Sequence, residues 1–315
     1  MRRALSIALP LTIVFATRTL ASQVETDGRI LPALTRIESE HAALCLPAEG
    51  SPDLAARSGI LISDLRSYPD ITGRDRSSVQ ALNRVLFDRL GIKGSQDLKD
   101  PCNLLPSRVL ERKQGYCVGI AALYLVLAER LNLPIFAVAT PSHVFLRYDD
   151  GTTRINIETL QGGASVPDEQ YIREQKIPQE SIRRGVFMRN LTTDEFLAQV
   201  HSNLGVVYSE RKNYEAAGKE YETALELDPH LPAALYNWGN DLLASGDYPR
   251  AVRVFSRSLR LYPTDVWALN NRGVAYKKLG KVEKARRDFE EALRIDPGFA
   301  QARQSLEGLP PRPQV

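Results

Sequence analysis

Four residue columns recur at a fixed interval of 34 in the last third of the chain, and they constrain its fold more than any other feature. Gly205, Gly239 and Gly273 form one column; Ala217, Ala251 and Ala285 a second; Tyr221, Phe255 and Phe289 a third; Pro229, Pro263 and Pro297 a fourth. Each column has a physical reason. The glycines and alanines let two helices of one unit approach closely, the aromatic fills the gap to the next unit, and the proline stops the second helix. One unit of this size cannot bury its own apolar face, but stacked neighbours can. Three units are close to the minimum for such a stack, and residues 299–306 supply a terminal helix as its lid.

A 34-residue helix–turn–helix period is that of the tetratricopeptide repeat (TPR). The three repeats fall at about 198–231, 232–265 and 266–299 within an all-α solenoid spanning 191–309, followed by a flexible tail at 310–315. Two residues depart from the pattern: Arg272 stands where a large apolar side chain is usual, and Ser258 where alanine is. The first helices of the repeats are expected to line a concave groove carrying Asn203, Asn237 and Asn271, with Tyr236, Asn240, Trp267 and Asn270 adding polar and aromatic contacts. The partner such a groove implies is a polypeptide. The competing reading is an array that serves only to pack against the neighbouring domain.

At 315 residues the chain exceeds the roughly 100 to 200 residues of one domain, and 43% hydrophobic with 25% charged residues is a globular composition. No apolar run reaches the ~18 residues of a membrane span. The first 21 residues have a different layout: Arg2 and Arg3, an apolar stretch over 4–16, then Thr19-Leu20-Ala21. This is a secretory leader pattern, cleaved after Ala21 or at Ala16, with an uncleaved anchor as the alternative. It implies a secreted, periplasmic protein. Its removal takes Arg2, Arg3 and Arg18 and no acid, so the formal charge falls from +3 to 0. A balanced chain carries no electrostatic footprint for nucleic acid or an anionic membrane.

Between leader and repeats, residues 22–190 form a second domain. Its first half shows helical periodicity over 31–45, 52–68 and 77–90. Gly115-Tyr116-Cys117 then opens a run at 118–131 that is apolar on nearly every side and ends at Asn132 and Pro134, the pattern of a helix buried mid-domain. Cys117 falls in its first turn, where unpaired N–H groups and the helix dipole favour thiolate over thiol. A small buried residue at a helix start is the plainer reading. Strands are expected at 135–140, 143–148 and 152–158, with Asp150-Gly151 as a two-residue hairpin turn. That turn sets Phe145 opposite Asn156 and His143 opposite Glu158, at the roughly 4.5 to 5.5 Å of directly paired β-carbons. A cysteine, a histidine and a carboxylate so disposed make a nucleophilic triad, with Asn156 as a competing orienting group.

The three cysteines lie at 45, 102 and 117. The simplest arrangement bonds Cys45 to Cys102 and leaves Cys117 free; three free thiols are the alternative. His41, His201 and His230 have no partners at metal-ligand spacing and no Gly-rich phosphate loop occurs, so neither metal, nucleotide nor other cofactor is expected.

Cysteine at a helix start, then histidine, then an acid on successive strands resembles the transglutaminase-like superfamily. The chain is similar to the bacterial branch that joins this core to tetratricopeptide repeats. The resemblance rests on Leu82-Asn83-x-x-Leu86-Phe87, Asp100-Pro101-x-Asn103, Val109-Leu110-Glu111-Arg112, Gly115-Tyr116-Cys117, Pro141-Ser142-His143-Val144-Phe145 and Asn156-Ile157-Glu158-x-x-x-Gly162-Gly163. It implies an α+β papain-like core, with Cys117 as nucleophile, His143 as base and Glu158 as orienting acid. The superfamily usually has aspartate at the third place, and some members of the branch lack the cysteine and serve as noncatalytic modules. The activity implied is hydrolysis or acyl transfer at an amide, by a protease, amidase or transglutaminase; the alternative is an inactive adaptor.

Overall fold

The structure, a computed structural model, describes residues 28–45, 53–68, 71 and 76–312. The expected leader at 1–21 and the last three residues of the expected tail lie outside the described residues. Helix α1 (Ile30–Glu40) turns Ile30, Leu34 and Ile37 inward at helical spacing. Helix α2 (Leu54–Leu65) starts at Asp53, whose carboxylate accepts from the amides of Ala55 and Ala56 and so satisfies two first-turn donors. Helix α3 (Arg76–Asn83) continues as a π-helix over Arg84–Arg89, burying Val85, Leu86 and Phe87. Strand β1 (Lys93–Gly94) then runs parallel to β2 (Gln114–Gly115), with α4 (Pro106–Arg112) between them.

Helix α5 (Cys117–Arg130) is the centre of the domain: every residue from Cys117 to Ala128 is buried. Such all-round burial matches a helix packed on every side, against α1, α2, α4 and the sheet. Gly119 makes one of these contacts possible, because a β-carbon there would land on the carbonyl of Asn103. After Asn132, in the left-handed region at φ 53°, strands β3 (Ile135–Ala139), β4 (Val144–Asp149) and β5 (Arg154–Ile157) form an antiparallel meander in that order. One face of the sheet packs on α5 through Val144, Leu146, Tyr148 and Ile157. The other buries Val138 and Phe145 beneath Tyr171, Ile177, Phe187 and Met188, on and around α6 (Asp168–Glu174) and α7 (Gln179–Arg183).

The β4–β5 register differs from the sequence expectation. Leu146 pairs with Ile157, Arg147 with Asn156 and Tyr148 with Ile155, a slip of two residues, so neither Phe145 and Asn156 nor His143 and Glu158 are directly opposed. The cause is a wider turn. The Asp150 carboxylate accepts from both amides of Thr152 and Thr153 and from the Thr152 hydroxyl, and closes a four-residue loop with Gly151 at φ 86°. A slip of two preserves which face each side chain occupies.

The repeats pair as α8 (Thr193–Glu210) with α9 (Tyr214–Leu227), α10 (Pro232–Ala244) with α11 (Tyr248–Leu261) and α12 (Val266–Lys278) with α13 (Val282–Ile295), closed by α14 (Ala300–Glu307). The aromatic column fills the gap inside its own repeat rather than to the next: Tyr221, Phe255 and Phe289 lie flat on Gly205, Gly239 and Gly273, where any β-carbon would collide with the ring. Arg272 is accommodated by a two-bond ion pair with Asp288 at 2.7 and 2.8 Å. Helix α8 serves both domains. Phe196, Leu197, Val200, Leu204 and Val207 belong to the core around α5, while Ala198 and Val206 face the repeats. Among the described residues no helix is long and apolar enough to cross a membrane.

Candidate active site at the start of the buried helix

Three local structures converge on Cys117. Tyr116, extended at φ −75° and ψ 162°, precedes the helix and donates its amide to the carbonyl of Asn103 at 2.8 Å. This clamp fixes Cys117 as the first helical residue, where its amide has no intrahelical acceptor and the positive end of the dipole is nearest. The side chain is only 2% exposed. His143 closes a tight turn, its carbonyl accepting from the amide and hydroxyl of Thr140 at 2.8 and 3.0 Å, and enters β4 from there.

Glu158 follows β5 and is held on all sides. Its Oε1 accepts from the Leu160 amide at 3.0 Å, and its Oε2 from the Tyr171 hydroxyl at 2.7 Å. The His143 Nε2 lies 2.8 Å from Oε2 and 3.0 Å from Oε1. The loop that follows is strapped down: the Glu158 amide donates to Ala164, and the Asn83 side chain donates to the Gly163 carbonyl at 3.0 Å. Gly163 has φ 79°, and a β-carbon there would meet the Asn83 amide group.

The electrostatics follow from these contacts. Burial pulls the His143 pKa down, but hydrogen bonding and charge from Cys117 and Glu158 outweigh it and push the value up to about 10. Burial pushes Glu158 upward, and the bonds from His143, Tyr171 and the Leu160 amide overcome it, so the carboxyl is held below its ordinary range. Burial and the neighbouring Cys117 raise Tyr116 to about 12. An ionised carboxylate only accepts, so Nε2 is the donor to Glu158, and Nδ1 remains for the thiol. The arrangement can therefore hold a proton on His143 beside the Cys117 sulfur.

Asn156 does not join this group. Its side chain accepts from Arg147 Nε at 2.8 Å and donates to Asp168 Oδ1 and the Val166 carbonyl, so it bonds to the pair of buried Arg147 and half-buried Asp168 instead of the imidazole. The same register slip moved it from its expected place. Tyr171 is the site residue that sequence reasoning missed: it stacks on Phe145 with ring centroids 4.3 Å apart and lies 13 residues beyond Glu158 with no local signature. Asn83 stands in the resemblance stretch Leu82-Asn83-x-x-Leu86-Phe87, and its role in strapping the Gly163 loop has no signal in the sequence.

Cys45 and Cys102 are joined by a disulfide with Cα atoms 5.4 Å apart, and Cys117 is free. In the repeats, Asn271 donates to Asn240 at 2.8 Å and accepts from Asn270 at 3.0 Å, bridging α10 and α12. Asn270 is buried and accepts from Ser305 of α14, so it belongs to the lid contact. Asn203 turns its amide back to the Gln199 carbonyl on α8. Tyr236 and Asn237 are half-buried on α10, and Trp267 is exposed, its ring edge-on to Phe299. Among the described residues no cluster of His, Cys, Asp and Glu is arranged to hold a metal ion.

A buried helix headed by cysteine, a three-stranded sheet bringing histidine and carboxylate to it, and a helical solenoid sharing one helix with that core define a transglutaminase-like fold with repeats. Residues 54–202 match the family model described as Transglutaminase-like superfamily, and residues 196–263 and 241–307 match two described as Tetratricopeptide repeat. The chain thus contains a transglutaminase-like domain over 54–202 followed by tetratricopeptide repeats over 196–307. It is similar to UPF0162 proteins of Xylella fastidiosa. With that of strain Temecula1 it is 28% identical over 254 residues, 76% of this chain and 86% of the relative; with that of strain 9a5c, 28% over 260 residues, 77% and 88%. The repeats are also similar to Hsp70-Hsp90 organizing protein 1 of Glycine max, 33% identical over 86 residues, 27% of this chain and 15% of that protein. Among solved structures, the first TPR of Spaghetti (RPAP3) bound to an HSP90 peptide matches at 24% identity and TM-score 0.34, covering 35% of this chain and 87% of that one.

Proposed function

We propose that this protein is a cysteine-dependent enzyme acting on an amide of a polypeptide substrate, with the repeats engaging that polypeptide. The observation that carries this reading is the His143–Glu158 dyad, whose Nε2 is committed to a carboxylate held by three donors while Nδ1 is left toward Cys117. The Cys117 thiolate attacks the carbonyl carbon and forms a C–S bond. Imidazolium His143 then gives its proton to the leaving amine as the C–N bond breaks. Water, deprotonated by His143, attacks the thioester and releases the acid and the thiolate. Hydrolysis is favoured over crosslinking because water needs no second binding site. We further propose a secreted, periplasmic location, supported by the leader pattern and by a disulfide of the kind oxidising compartments sustain.

One observation favours a second reading, a noncatalytic adaptor: the Cys117 side chain is 2% exposed. Alkylation separates the two. Cys117 is the free thiol, so iodoacetamide incorporation into the oxidised protein reports on it alone. An enzyme gives rapid alkylation of the native protein near neutral pH that His143→Ala slows. A thiol inert until the protein unfolds leaves the adaptor.

A further inference from the structure

Two histidines and one carboxylate meet where the end of α1 lies against the first repeat. His41 follows the last residue of α1, His201 belongs to α8 and Glu220 to α9. Glu220 Oε2 lies 2.8 Å from His201 Nδ1, and its Oε1 3.5 Å from His41 Nε2. The Tyr208 hydroxyl of α8 lies 3.0 Å from His41 Nδ1. Both imidazoles are buried, His41 at 6% and His201 at 7% exposure. Glu40, on the helix of His41 itself, is exposed and faces Arg36 at 3.9 Å, and the Arg211 guanidinium beyond Tyr208 is occupied by the Leu44 carbonyl. Charge counting decides what this cluster can bear. Glu220 with one imidazolium is a neutral pair, and His201 is the nearer partner. A proton on His41 as well leaves a net positive charge inside the seam, which is costly where water is excluded. That proton also turns Nδ1 from acceptor into donor, so the bond from the Tyr208 hydroxyl must reverse. Burial holds the His41 pKa below its ordinary 6.5 against the pull of Glu220, and His201 adds to the depression. The neutral ring is therefore the form the seam favours: its contribution is present above 6.5 and is lost as pH falls below that value.

We propose that His41, Glu220 and His201 form an acid-released latch: at neutral pH they hold the end of α1 on the first repeat, and a second proton in the cluster frees that segment and uncovers the Tyr208 and Glu220 side of α8 and α9. The segment that yields is short. Ile37 is anchored in the core and Cys45 is bonded to Cys102, so the end of α1 and the 3-10 turn at Ala42–Leu44 are all that lies between two fixed points. The ion pairs at the margins of the same seam, Arg29 with Asp194 at 3.1 Å and Lys99 with Glu210 at 3.2 Å, are solvated and contribute little to holding it. The latch is independent of Cys117 and of any substrate.

Amide hydrogen exchange of the full-length, disulfide-bonded protein, divided by the intrinsic exchange rate at each pH, reads the latch directly. Protection of the amides of residues 41–45 is expected to fall about ten-fold or more between about pH 7.5 and about pH 5, while the amides of α5 keep theirs. His41→Gln keeps a polar side chain toward Tyr208 and Glu220 but takes no proton, and its protection over 41–45 is expected to stay level across that range. His201→Gln leaves Glu220 to His41 alone and is expected to level the response as well, which supplies a second reading if the first variant folds poorly. Three results overturn the proposal: protection at 41–45 that survives at pH 5 in the natural protein, an acid loss that persists in both glutamine variants, or a loss at α5 in step with that at 41–45, which is global acid unfolding. Because exchange needs neither a thiol nor catalysis, failure here leaves the amide chemistry standing, and an inert Cys117 leaves the latch standing.

Discussion

The Tyr171 hydroxyl donates to Glu158 Oε2 at 2.7 Å from inside the second apolar cluster, where its ring lies flat on Phe145. Glu158 thus receives one contact from α6 and another from His143, whose ring lies 6.4 Å from that of Tyr171. Removing the hydroxyl in Tyr171→Phe keeps the stack and deletes one charge-assisted bond, which costs about 1.5 to 3 kcal/mol when the acceptor is ionised. With less stabilisation of the carboxylate, the Glu158 pKa rises, while its charge beside His143 is kept. NMR titration of the Glu158 carboxyl is expected to move upward by about one unit or more. An unchanged carboxyl titration would assign Tyr171 to packing alone.

The dyad also dictates a pH dependence of stability. The His143 pKa is raised from an ordinary 6.5 to about 10, so its contribution is fully present below 6.5 and is lost as pH climbs through about 10. The Glu158 pKa is lowered from an ordinary 4.5, so its contribution is present above that value and is lost as pH falls below it. The two windows overlap between about 4.5 and 6.5. Comparing urea unfolding of the natural protein with His143→Gln, the difference is expected to be largest near pH 6, about 3 kcal/mol as for a broken buried pair, and to shrink steadily toward pH 10. A difference independent of pH would mean that His143 is neutral in the fold.

What the sequence reveals and what it conceals divide along the range of the contacts. The repeat columns are legible because a glycine lying under an aromatic ring demands one spacing, and that spacing recurs. The start of α5 is legible because burial on every side leaves an unbroken apolar run behind Cys117. The β4–β5 register is not legible, since Asp150-Gly151 reads locally as a two-residue turn and only the Asp150 carboxylate, bonding to Thr152 and Thr153, widens it. Continuing the observed register puts Glu158 opposite Phe145, diagonal to His143 on the same edge of the sheet. Glutamate, one methylene longer than the aspartate usual at this place, reaches across that diagonal. Tyr171 and the double use of α8 were concealed because each depends on a partner distant in sequence, and the apolar residues of α8 read equally well as the inside of a repeat.

The Cys45–Cys102 bond closes a loop of sequence separation 57, tying the segment after α1 to the turn before α4. Chain-entropy arguments for a loop of that size give about 4 kcal/mol. Cys45→Ser with Cys102→Ser is expected to shift the urea midpoint downward with the slope nearly unchanged, and addition of a reductant to the natural protein should reproduce the shift. A reductant-insensitive midpoint would show the bridge to be energetically idle.

The shared helix makes the domain boundary testable by truncation. Phe196, Leu197, Val200, Leu204 and Val207 of α8 fill the core around α5. Polar links reinforce the seam: the His41 Nδ1 bonds to the Tyr208 hydroxyl at 3.0 Å, and the Arg211 guanidinium donates to the Leu44 carbonyl at 3.1 Å. A chain ending at residue 190 therefore exposes the apolar surface that five core side chains covered, at about 1.5 to 3 kcal/mol for each large one, a sum comparable to the whole stability of a domain. It is expected to lose cooperative unfolding and to be cut rapidly by protease. A chain ending at residue 231 keeps α8 and α9, retaining Glu220 beside His41 at 3.5 Å, and is expected to unfold cooperatively. If the shorter fragment melts as sharply as the longer one, α8 is only an attachment and the core is complete without it.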